Sequence, residues 1–145
     1  MKHKILNMGA NLSLFFSLSV LVLFLCWMIF PLKVTTVESP VVTDKQEYKV
    51  GETIKYDLDF CIYKKTKVTI SKRFVDGTVH FMPSYDIVSG DMGCHHNDKV
   101  VGAVIPLNLE PGEYILEITA LHYVNPIRDF SVMWETEPFQ IIEGY

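Results

Sequence analysis

The chain has 145 residues, which is room for one domain and an appendage but not for two full domains. A formal net charge of -4 and a pI near 5.7 argue against an obligate nucleic-acid binder, and 12% aromatic with 21% charged residues excludes wholesale disorder. Three cysteines are too few for a disulfide scaffold, while the positive mean hydropathy of +0.21 points to a concentrated apolar segment.

That segment comes first. No Asp, Glu, Lys or Arg occurs between Lys4 and Lys33. Its apolar heart runs from Leu12 to Leu32, with Val20 to Leu25 unbroken. A helix of about 20 such residues crosses the roughly 30 Å hydrocarbon core of a bilayer. Trp27 near its far end suits an interfacial belt, and Pro31 and Lys33 end the run. Lys2, His3 and Lys4 make a positive flank like that of a signal peptide, but large residues follow the run where a cleavage site needs small ones. Phe24 and Leu25 before Cys26 likewise disfavour a lipoprotein signal. The reading is an uncleaved transmembrane signal-anchor over 12–32 behind a cytoplasmic tail over 1–11. Lys2 and Lys4 outweigh the lone Lys33, so the N-terminus lies in the cytoplasm and the rest is extracytoplasmic. All 17 acidic residues follow Leu32. Residues 33–40 read as a short juxtamembrane linker.

The remaining chain, 41–145, has the grammar of strands. Ile54, Tyr56, Leu58, Phe60 and Ile62 alternate with Lys55, Asp57, Asp59 and Cys61, the period-2 signature of a half-buried strand. Val68, Ile70 and Phe74 repeat it. Short strands follow around Val79 and Phe81 and over 85–88. The run Val100 to Leu107 is apolar on both faces, as a covered central strand is. Tyr114, Leu116, Ile118 and Ala120 alternate again, and strands over 130–134 and 139–142 finish the chain, with Pro138 marking a bulge or edge kink. Seven or eight short strands with frequent turn signals predict an all-β sandwich.

Two strings carry a resemblance. Leu109-Glu110-Pro111-Gly112-Glu113-Tyr114, entering an alternating strand, resembles the tyrosine corner of immunoglobulin and fibronectin type III sandwiches. Thr43-Asp44-Lys45-Gln46-Glu47-Tyr48-Lys49-Val50-Gly51-Glu52-Thr53 is similar to the opening of macroglobulin-type and bacterial immunoglobulin-like domains, with Val50 where those place Pro. The resemblance implies a Greek-key immunoglobulin-like sandwich, with Leu109, Pro111, Gly112 and Tyr114 as a structural corner. It implies that the Tyr114 hydroxyl bonds backbone a few residues upstream. Leu116 stands where immunoglobulin domains carry an intersheet cysteine, so the core is expected to be aliphatic and free of a disulfide. The fold alone names no function.

Cys61 and Cys94 are candidates for a surface disulfide, since cysteines pair in an oxidising compartment. Such a bridge is worth roughly 3–4 kcal/mol in the chain-entropy model. The stretch Asp91-Met92-Gly93-Cys94-His95-His96-Asn97-Asp98 reads as a polar, turn-rich connection, and also as a candidate metal site on Cys94, His95 and His96 if Cys94 is not bridged. Asp57 and Asp59 on one strand face are a candidate carboxylate pair for glycoside hydrolysis, weighed against ordinary solvated carboxylates. Tyr63, Lys64, Lys65, Lys67, Lys72 and Arg73 form a basic cluster that either touches phosphate headgroups or lines a solvated edge. His122 continues a core strand and reads as packed or at a rim. Ser13 and Ser17, four apart, leave room for weak self-association of the helix.

No nucleophile elbow, phosphate loop or dinucleotide fingerprint occurs, so no enzyme and no cofactor is expected. The leading expectation is a membrane-tethered extracytoplasmic binding or assembly module that engages a protein partner, suited by size to a bacterial or phage envelope. The alternative is a metal-binding domain built on Cys94, His95 and His96.

Overall fold

A computed structural model describes residues 2–30, 33–38 and 40–143; the side chains of 2–12 and of Asn97 lie outside the description. The chain forms two compact units, 1–32 and 33–145.

The first unit is a helix, α1 (Lys2–Ile29), so backbone expected as a tail is helical from Lys2. From Leu14 to Phe30 its large apolar side chains are exposed on every side. The membrane span expected over 12–32 does not emerge: among the described residues no helix is long and apolar enough to cross a membrane. Pro31 and Leu32, which close the expected span, lie outside the described residues.

The second unit is made of strands: β1 (Thr35–Val37), β2 (Glu47–Lys49), β3 (Thr53–Ile62), β4 (Lys67–Val75), β5 (Val79–Phe81), β6 (Tyr85–Val88), β7 (Gly93–Val104), β8 (Gly112–Asn125), β9 (Arg128–Glu135) and β10 (Phe139–Ile142). That is ten strands among the described residues, where periodicity predicts seven or eight. The two extra, β1 and β2, are three residues each, too short to show alternation.

A small sheet has the order β1-β3-β7. The large sheet has the order β2-β10-β8-β4-β5, with β6 also on β4 and β9 also on β8. All the ladders are antiparallel except β2 with β10, which is parallel. The chain changes sheets after β1, β2, β3, β6 and β7.

The alternating residues of the two sheets meet in one core. Ile54, Tyr56 and Leu58 of β3 share it with Ile70 and Phe74 of β4 and Leu116 and Ile118 of β8. Each fully buried side chain of this size stabilises the fold by about 1.5–3 kcal/mol.

Two expectations are corrected here. Residues 33–40 do not form a free linker: Val34 is fully buried, and Thr35, Thr36 and Val37 pair with Ile62, Cys61 and Phe60. The run from Val100 is not a covered central strand either. It ends β7, the outer strand of the small sheet, where Val101 and Val104 are 59% and 53% exposed. Their hydrophobicity mimics that of a strand covered on both faces.

Candidate functional site

The corner string folds around one side chain. Pro111 and Gly112 lead into β8, and the ring of Tyr114 is buried beside Phe74. Tyr114 Oη donates to the carbonyl of Glu110 at 2.9 Å. Leu109 is buried beneath the turn. At the other end, Tyr48 Oη donates to Asp44 Oδ1 at 2.5 Å, and Lys55 N donates to the same oxygen at 3.1 Å. Burial and the Asp44 carboxylate push the Tyr48 hydroxyl up to about 12. In the turn between β2 and β3, Gly51 takes a left-handed φ of 83°, a conformation that favours glycine.

The chemically rich stretch at 91–98 is not the loop its composition suggests. From Gly93 onward it is strand β7, paired with β3 through a register shift. Cys94 stands opposite Cys61, and the two form a disulfide. This consumes the sulfur as a metal ligand. His95 stacks on Phe60 with ring centroids 4.8 Å apart, and its Nδ1 lies 3.3 Å from Asp98. His96 reaches instead to Asp59, at 3.6 Å. Neighbouring strand residues point to opposite faces, so the two imidazoles diverge. Among the described residues, no group of three or more His, Cys, Asp or Glu is placed to hold a metal ion.

The other candidates are spread out. Asp57 and Asp59 line a shallow acidic hollow with Glu38 and Asp44. The basic cluster dissolves into separate contacts. Lys65 pairs with Asp91 and Lys67 with Asp86, both at 2.7 Å, and Arg73 pairs with Glu117. Lys64 donates to the carbonyl of Val124, and Lys72 lies over the ring of Tyr85.

Three features escaped sequence reasoning. Gly102 is one: a Cβ there would meet Tyr56 Cε1 of the neighbouring β3 at 2.8 Å and Leu116 Cδ2 of the facing sheet at 3.1 Å, so a side chain does not fit without a shift. The second is a polar knot inside the sandwich. His122 Nδ1 lies 2.8 Å from Thr66 Oγ1, and Ser89 Oγ accepts from Thr66 N at 2.9 Å. Burial lowers the pKa of His122 below its ordinary 6.5 and keeps the ring neutral. The third is an apolar cavity between the sheets. No periodicity signals any of these, because each depends on which strands face one another.

No protein-family model matches the chain, and no curated protein matches it. Solved structures with some similarity to this chain include two. The crystal structure of Spo0M, a sporulation control protein from Bacillus subtilis, has a TM-score of 0.42 and 11% identity, over 78% of this chain and 51% of that one. The Pseudomonas fluorescens alkylpurine DNA glycosylase AlkC, bound to DNA containing an abasic site analog, has a TM-score of 0.40 and 10% identity, over 76% of this chain and 31% of that one. The chain thus spans about half the length of the first and under a third of the second. Neither likeness extends to function.

Proposed function

We propose that the chain is a tethered, non-enzymatic binding module: an extracytoplasmic immunoglobulin-like sandwich that engages a protein partner by accepting a strand along β7. The observation that carries this is the open edge. β7 is twelve residues long and pairs only with β3 among the described strands, and it exposes Val101 and Val104. An unpaired edge with apolar side chains is a template for an added strand.

Three further features support parts of the reading. The Cys61–Cys94 disulfide suits an oxidising, extracytoplasmic compartment. The sheet changes after β3 and β7, the parallel β2–β10 pair and the Tyr114–Glu110 bond all fit a Greek-key immunoglobulin-like sandwich. The tether rests on the large apolar side chains exposed along α1, although no helix among the described residues is long and apolar enough to cross a membrane.

The test uses the full-length protein in its own cells. Crosslinking and mass spectrometry should recover one partner that a V101K/V104K variant no longer captures, because charged lysines on an exposed edge block strand addition. Equal capture by both proteins would sink the edge reading. Release of the protein from membranes by alkaline carbonate would sink the anchor.

A further inference from the structure

The two sheets are not laced together on every side. The outer strands β6 and β7 flank one opening, and no backbone ladder joins them. A cavity of about 380 Å³ lies between the sheets at this side. Tyr56 and Leu58 of β3, Val100 of β7, Ile118 and Ala120 of β8 and Trp134 of β9 form much of its wall, and the lining is mostly carbon. Exposed Ile87 and Val101 make an apolar lip. The volume falls within the range of small-molecule sites.

Among the residues lining this apolar space, two carry a buried side-chain polar atom with no hydrogen-bond partner: Thr35, at Oγ1, and His122, at Nε2. His122 is only 3% exposed. Its other nitrogen faces Thr66 Oγ1, which fixes the ring and leaves Nε2 as the unused one. Buried hydrogen-bonding atoms are almost always paired, so an unpaired one beside a cavity marks a place for a ligand atom. Charge is confined to the mouth. Lys72 Nζ lies 5.1 Å from the centroid of the Tyr85 ring, and His95 faces Asp98. An ionised head drawn further in would lose its hydration with no counter-charge.

We infer that this cavity binds a neutral amphiphile, an aliphatic or aromatic body carrying a hydroxyl or carbonyl group that pairs with His122 Nε2. Thr35 Oγ1 offers a second partner on the wall. The site adjoins the strand-accepting edge and shares Val101 of β7 with it, but neither reading depends on the other.

The test is photolabelling of the full-length protein in detergent with a diazirine-bearing analogue of 1-dodecanol, mapped by mass spectrometry. The expected result is one label per chain on peptides of β3, β4 and β6 to β9. Free 1-dodecanol should compete at least about tenfold better than dodecane, which offers nothing to His122. Ala120→Leu and Val100→Phe fill the space from opposite sheets. Each variant that keeps the wild-type circular dichroism should lose labelling by about tenfold. Labels confined to α1 would overturn the inference, as would equal competition by dodecane. Stronger competition by dodecanoate would place the head at Lys72 and overturn it too. No labelling of wild type would mean that the cavity holds only water.

Discussion

Cys61 and Cys94 face each other directly across the β3–β7 ladder, with Cα atoms 4.0 Å apart, so their bond ties an open edge strand to the middle strand of its sheet. The 33-residue separation means that the bridge also closes the segment carrying β4, β5 and β6. Replacing both cysteines by serine should lower stability by about 3–4 kcal/mol in the chain-entropy model, read by urea unfolding. Hydrogen exchange at Gly93 to His96 should rise most, because these residues stand at the bridge and pair with β3 alone among the described strands. Unchanged exchange there would show that β7 is held without the bridge.

The Tyr114 hydroxyl offers a second test. Tyr114→Phe keeps the buried ring and deletes only the bond to the Glu110 carbonyl. The loss should be about 0.5–1.5 kcal/mol, with no change in the slope of the denaturant transition. Tyr114→Ala also empties the ring's place beside Phe74 and should cost about 3–5 kcal/mol. Similar losses for the two variants would remove the corner's packing role.

Gly102 tests how tightly the sheets approach. Its backbone needs no left-handed conformation, but a methyl group there runs into Tyr56 Cε1 at 2.8 Å and Leu116 Cδ2 at 3.1 Å. Gly102→Ala should destabilise by about 1–3 kcal/mol through overpacking. Ordinary strand propensity predicts the opposite sign, since glycine weakens a strand interior. Thermal unfolding separates the two.

His122 should make stability fall in mild acid. Burial depresses its pKa in the folded state below the 6.5 of the exposed ring. The unfolded chain then binds the proton more readily, so stability is fully present above about pH 6.5 and declines as the pH drops below it, until the folded-state pKa is reached. The midpoint of thermal unfolding should fall between pH 7.5 and 5.5. The fall should be smaller in His122→Gln, which leaves the surface pairs His95–Asp98 and His96–Asp59 in place. Parallel profiles for the two proteins would rule out His122 as the titrating group.

The local code was legible where period and burial coincide. The alternation from Ile54 to Leu58 places β3 on the core, and the same rule places Val68, Ile70 and Phe74 of β4. It failed where edges are concerned. Val100, Val101 and Val104 look like a covered strand, yet whether a strand has one neighbour or two is a property of the sheet and not of the strand. It failed again at 33–40, where three paired residues are too few to show a period, and at Cys94-His95-His96, where polar composition suggests a loop.

By itself the sequence determined that this protein is mostly β-structure beyond an apolar N-terminal segment, and which side chains β3, β4 and β8 turn inward. Those properties follow from one residue and its near neighbours. Only the tertiary structure decided that Cys61 meets Cys94, that β7 is left open, that Gly102 touches Tyr56, and that His122 keeps a nitrogen unpaired beside a cavity. Each of those depends on the order and register of strands far apart in the chain, and these are set by how two twisted sheets bury one another's faces.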